Sequence, residues 1–159
     1  MHGQMSVDTP VGVAAGVVWD VYRGLEVGRL VDELLGDVIG KVQVVEGDGG
    51  VGTVVKLTFP PGTPGVGYMK EKITKVDDDN RVKETEVFEG GYIALGFDLH
   101  RIRLEVIEKD AKSSIIRSSI EYEVNDELAE IASSITTKQF EMMAEVIGKY
   151  LSEKSTATA

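Results

Sequence analysis

From Lys41 to Val124 apolar and polar residues alternate with a period of two, broken by turn-forming clusters at Gly47 to Gly52, Pro60 to Pro64, Asp77 to Asn80, Gly90-Gly91 and Lys109 to Ser113. Successive side chains of a strand point to opposite faces, so this alternation predicts about six strands after an N-terminal one. Their hairpin-length connections make the sheet antiparallel. On either side of this block the spacing turns helical. Val13 to Arg23 and Glu26 to Leu35 carry Val17, Val18, Val21 and Leu30, Leu34 at helical steps and stop near Gly24 and Gly36, which predicts two short helices. The last segment opens on Asn125 as an N-cap, with Asp126 and Glu127 complementing the helix dipole. Leu128, Ile131, Ala132, Ile135, Met142, Met143, Val146 and Tyr150 then form one broad apolar face, predicting a single helix from Val124 to Leu151. A helix of roughly 25 residues spans nearly 40 Å. Only the seven-stranded sheet can cover such a face, so the sheet must curl around it and leave a cavity for a small apolar ligand. Residues 1–159 thus read as one α+β domain, with a low-complexity tail from Ser155 to Ala159.

Gly47, Gly49 and Gly52 fall at the spacing G-x-G-x-x-G, but Thr53-Val54-Val55-Lys56-Leu57-Thr58-Phe59 follows as a strand and not as the helix a dinucleotide site needs. Thr53 also stands where a phosphate loop needs lysine. The glycines are therefore expected to turn one strand back on the next.

The absence of cysteine removes a disulfide framework, a thiolate metal site and a cysteine nucleophile, and favours a cytoplasmic protein. A formal charge of -10 opposes nucleic acid and anionic membrane surfaces and attracts cationic amines. No apolar run is long enough for a membrane span.

Candidate chemistry lies on two strands. Along Tyr68 to Val76, Glu71 shares a face with Met69 and Ile73, and is either a solvated edge residue or a buried carboxyl with a raised pKa fit for proton transfer. Along Phe97 to Ile107, Asp98, His100, Ile102, Leu104 and Val106 share a face opposite Arg101, Arg103 and Glu105, so the first set should point inwards. His100 is either a satisfied core histidine or a catalyst beside Asp98, Glu71 and Lys83. Pattern alone leaves Lys83 a surface lysine, because Val82, Glu84, Glu86 and Phe88 mix signals on the opposite face. One histidine and one carboxylate two positions away are too few for a metal site. Met142 and Met143 read as adaptable cavity lining, Trp19 as core, and Asp77 to Asn80 as a turn.

The order of elements, together with Glu46-Gly47-Asp48-Gly49-Gly50-Val51-Gly52-Thr53 and Ile120-Glu121-Tyr122-Glu123-Val124, resembles the pathogenesis-related class-ten family of plants, which includes the birch-pollen allergen. Phe59-Pro60-Pro61-Gly62, Lys70-Glu71-Lys72, Glu89-Gly90-Gly91-Tyr92 and Ile107-Glu108-Lys109 are similar to its norcoclaurine-synthase-like members. The resemblance implies a helix-grip fold, a deep hydrophobic cavity, no metal and no cofactor. It also implies that Glu71 and Lys83 hold the synthase's glutamate and lysine. The synthase's tyrosine falls on Met69 or, displaced by one residue, on Tyr68, and its aspartate falls on Ile102. This half-set shifts the expectation from condensation towards proton transfer: a cofactor-independent isomerase moving a double bond of a morphinan ketone from β,γ to α,β, as from neopinone to codeinone. Glu71 or His100 would be the base, Lys83, Tyr68 or Asp98 would hold the oxygen, and Met69, Ile102 and Met142 would line the substrate site. Condensation of dopamine with an aldehyde and non-catalytic alkaloid carriage are the alternatives. The expected partner is a small cationic alkaloid, with a homodimer left open.

Overall fold

A computed structural model describes the backbone of residues 1–158 and the side chains of residues 1–154. The strands are β1 (His2–Val11), β2 (Lys41–Glu46), β3 (Val54–Thr58), β4 (Tyr68–Asp77), β5 (Val82–Gly90), β6 (Leu99–Asp110) and β7 (Ser113–Glu123). They form one antiparallel sheet in the order β1-β7-β6-β5-β4-β3-β2. Two helices, α1 (Ala15–Tyr22) and α2 (Glu26–Leu35), follow β1, and α3 (Ala129–Ala132) and α4 (Lys138–Thr158) close the described chain. These are the seven antiparallel strands that the alternation predicts, in the helix-grip arrangement that the resemblance implies.

The sheet works as it does because one face is apolar and the other charged. β6 buries His100, Ile102, Leu104 and Val106 while Arg101 and Arg103 point outwards. Outside, Arg101 pairs with Glu86 at 2.7 Å and Glu121 at 2.6 Å, and Arg103 with Glu84 at 3.0 Å. The inner face meets α4 through Met143, Ala144, Ile147 and Leu151, in one core with Val18, Trp19 and Tyr22 of α1. Gly148 permits the close approach of α4 to β1, since a Cβ there would lie 2.7 Å from Val11 Cγ1. Val17, expected on the apolar face of the first helix, is exposed, because Ala15, Val18, Trp19, Val21 and Tyr22 form the buried face of α1.

The single long helix expected from Val124 to Leu151 is corrected by the structure. A 3-10 turn over Asp126–Leu128 leads into α3, and α4 begins only at Lys138. Ser133 and Ser134 donate through Oγ to the carbonyls of Glu130 and Ile131, both at 2.6 Å, and Thr136 Oγ1 accepts from Lys138 N at 3.2 Å. Hydroxyl side chains that satisfy nearby backbone groups compete with helix continuation and suit helix ends. The expected N-cap holds: Asn125 Oδ1 accepts from Glu127 N at 3.1 Å. The expected tail from Ser155 carries α4 on to Thr158, and its last residue, Ala159, lies outside the described residues.

The glycine-rich stretch is a turn. Gly47, Gly49 and Gly52 take φ of 99, 105 and 96°, values that disfavour a Cβ, and β3 rather than a helix leads out. Gly49 N donates to Thr53 Oγ1 at 2.9 Å, while Gly52 N and Ile73 N bind the turn to β4 through Ile73 O and Thr53 O. Asp77 likewise closes its turn, accepting from Asn80 N and Nδ2 at 3.1 and 2.9 Å.

Candidate active site

Between the curved sheet, α2 and α4 lies a cavity of about 740 Å³, walled by Ile73, Ile102, Leu104 and Ile120 from the sheet and by Phe140, Met142 and Met143 from α4. The interruption between α3 and α4 brings Ile135 and Thr136 to its wall as well. Three titratable side chains named from the sequence reach this space: Glu71 from β4, Lys83 from β5 and His100 from β6.

Strand register explains how they converge. Glu71 pairs with Val87, and Ile73 with Thr85, so Glu71 and Ile73 share the inner face of β4. A register shift between Ile73 and Lys75 then resets the alternation and sets Val76 beside Lys83. On the other side of β5, Thr85 pairs with Ile102 and Glu86 with Arg101. His100, two residues before Ile102 on β6, lines the same cavity as Glu71.

Each of the three is electrostatically unusual. Glu71 keeps its partial exposure towards the cavity, and enclosure raises its pKa, with Lys83 pulling the other way. Lys83 is 5% exposed, and burial lowers its pKa from 10.5 to about 8 against the opposing influence of Glu71. Its Nζ donates to Tyr22 O at 3.0 Å and Gly24 O at 3.1 Å, so two of three N–H groups are held by backbone. The surface position that pattern alone suggests for Lys83 is thereby corrected. His100 is 6% exposed and burial brings its pKa down to about 4, so its ring is neutral at ordinary pH.

Two of the expected site residues stand elsewhere. Asp98 precedes β6, is exposed, and contributes only its backbone N–H to Glu123 O at 2.8 Å. The inward alternation does not extend to it because the strand begins at Leu99. Tyr68 lies on the outer side of β4, where its hydroxyl donates to Glu89 Oε2 at 2.9 Å and Lys56 Nζ sits 5.0 Å from the ring centroid. Met69 takes the cavity position, as do Ile102 and Met142. Thr85, buried and lining the cavity between Ile73 and Ile102, was not singled out by the sequence, although its alternation with Lys83 marks it. Trp19 packs in the core as expected and donates through Nε1 to Asp78 Oδ1 at 2.8 Å. Among the described residues no group of three or more His, Cys, Asp or Glu side chains could hold a metal ion, and no helix is long and apolar enough to cross a membrane.

A sheet gripping a helix around an apolar cavity with a few inward ionisable groups is the frame of a ligand-cavity protein. The chain belongs to the pathogenesis-related protein Bet v 1 family, whose model matches residues 1–154. Norbelladine synthase of Narcissus pseudonarcissus is 44% identical over 154 residues, covering 97% of this chain and 94% of that protein. S-norcoclaurine synthase 2 of Papaver somniferum is 41% identical over 153 residues, covering 95% of this chain and 66% of that protein. Among solved structures, norcoclaurine synthase from Thalictrum flavum in complex with dopamine and hydroxybenzaldehyde superposes with a TM-score of 0.85 at 32% identity, covering 96% of this chain and 88% of that one.

Proposed function

We propose that this chain is an alkaloid-pathway enzyme that condenses an aromatic ethylamine with an aromatic aldehyde inside the cavity, with Glu71 moving the protons and Lys83 stabilising negative charge on oxygen. The observation that carries this reading is the placement of Glu71 and Lys83 in one apolar cavity, each shifting the other's ionisation without an ion pair between them. The solved relative holding dopamine and hydroxybenzaldehyde supports the choice of substrates.

The chemistry needs both proton transfer and charge stabilisation. The neutral amine attacks the aldehyde carbon; the nitrogen then loses a proton and the oxygen gains one to give a carbinolamine. A second proton on that oxygen releases water and leaves an iminium ion. Where an electron-rich ring carbon of the amine then attacks the iminium carbon, a base removes the ring proton and restores aromaticity. A carboxyl with a raised pKa serves as acid in the first steps and as base in the last. Lys83, mostly charged at neutral pH yet buried, leaves one N–H free of a protein partner for the developing alkoxide. His100 is a poor base at a pKa of about 4, so proton removal falls to Glu71. The net charge of -10 draws ammonium substrates towards the protein.

The second reading is the double-bond shift of a morphinan ketone, from neopinone to codeinone. It is favoured by Glu71 and His100 lining one cavity, a carboxyl and a neutral imidazole. Glu71 would take the proton between carbonyl and alkene, His100 would donate to the dienolate oxygen, and Glu71 would return the proton at the far carbon. Purified protein incubated with dopamine and an aldehyde, and separately with neopinone, against no-protein controls decides between them. Condensation product alone supports the first reading and codeinone alone the second. Binding without either product leaves an alkaloid carrier.

A further inference from the structure

The condensation described above makes no use of His100, the polar member of the buried β6 face that also carries Ile102, Leu104 and Val106. Its ring is fixed: Tyr92 meets it edge-on with centroids 5.5 Å apart at 68°, and Tyr92 in turn packs on Phe97 at 5.1 Å. Neither ring nitrogen has a hydrogen-bond partner among the described residues. Nδ1 is fully buried, whereas His100 as a residue lines the cavity, which leaves Nε2 as the nitrogen facing it. Buried N–H groups are left unpaired less often than buried acceptors, so the neutral ring is best served by a bare Nδ1 and a proton on Nε2. A single N–H then faces the cavity that Ile102, Ile120 and Phe140 also line. A precisely placed polar group in a mostly apolar cavity fixes the orientation of a ligand.

We infer that His100 is a specificity-determining residue that donates a hydrogen bond from Nε2 to a phenolic oxygen of the aromatic substrate, seating the hydroxylated ring against β6. A ligand lacking that oxygen would leave the N–H unpaired and be rejected in proportion. The inference rests on the condensation reading for its choice of ligands, but not for its readout, which is equilibrium binding.

The test is a pair of binding cycles by calorimetry. Dopamine is compared with 2-phenylethylamine, and 4-hydroxybenzaldehyde with benzaldehyde, on the wild type, His100→Phe and His100→Gln. In at least one pair the wild-type preference for the hydroxylated ligand should exceed that of His100→Phe by about tenfold, the worth of one such bond. His100→Gln, which keeps a donor, should recover part of it. The pair that responds identifies which substrate's ring lies against β6. Equal preferences in wild type and His100→Phe for both pairs would overturn the inference. Should His100→Phe fail to fold, ¹⁵N-detected histidine spectra of the wild type replace it: the Nε2–H signal must move more with the hydroxylated ligand than with its partner, and equal shifts are fatal. Binding preferences without condensation product would reject the enzyme reading and leave this one standing.

Discussion

The ammonium of Lys83 donates to the carbonyl of Tyr22 at 3.0 Å, tying the middle of the sheet to the end of α1. Among the described residues Lys83 is the only lysine or arginine that is buried. Its charge is therefore held at a cost, offset by the Tyr22 and Gly24 carbonyls and by the attraction of Glu71.

That cost has a pH signature. The folded-state pKa of about 8 lies below the ordinary 10.5, so between these values the unfolded chain binds more protons here than the folded one and stability rises with pH. The gain approaches about 3 kcal/mol across the full window. The buried Tyr22 phenol, with its pKa raised, has the opposite slope, but only once pH passes the usual tyrosine range. Urea unfolding at pH 7.5 and 9.5 should show the rise in wild type and its loss in Lys83→Met; equal rises in both would place the effect elsewhere.

Tyr68 and Asp98 stand outside the cavity. Tyr68→Phe and Asp98→Asn should accordingly keep turnover within about twofold of wild type, as surface changes do when they touch neither the core nor a buried network. A loss of tenfold or more in either would return that residue to the site.

Asp78 joins α1 to the β4–β5 turn, accepting from Trp19 Nε1 and from Arg23 Nε at 2.8 and 2.9 Å. Asp78→Ala leaves the partly buried indole N–H unpaired and should lower the urea midpoint clearly. Arg23→Ala removes only an exposed ion pair and should lower the midpoint less than Asp78→Ala does. Trp19 fluorescence during denaturation follows both, and a reversed order would contradict this assignment.

Most of the fold was legible because the sheet has one wet and one dry face, which writes itself into the sequence as alternation. β6 is the clearest case, with arginines outside and Ile102 and Leu104 inside. The split of the last helix was less visible, since the apolar spacing runs on through Ile135 while the interruption is made by the hydroxyls of Ser133, Ser134 and Thr136. Lys83 could not be read from pattern, because the residues on the opposite face of β5 mix charged with apolar and its anchors lie on a distant helix end. Asp98 misled for a simpler reason: alternation was carried past the point where β6 begins. Whether Tyr68 or Met69 faces the cavity needed the register of β4 against β5, which places Met69 beside Gly90 and inside.

The measurement nearest the central claim is the rate of condensation of dopamine with 4-hydroxybenzaldehyde and 4-hydroxyphenylacetaldehyde by wild type and Glu71→Gln, with amine binding measured alongside. Glutamine keeps the shape and a hydrogen bond while removing the proton that Glu71 exchanges. Wild type should form product well above the protein-free control, and Glu71→Gln should be slower by roughly a hundredfold or more with amine affinity changed far less. Equal rates in the two proteins, or no product from wild type while dopamine is bound, would contradict the account.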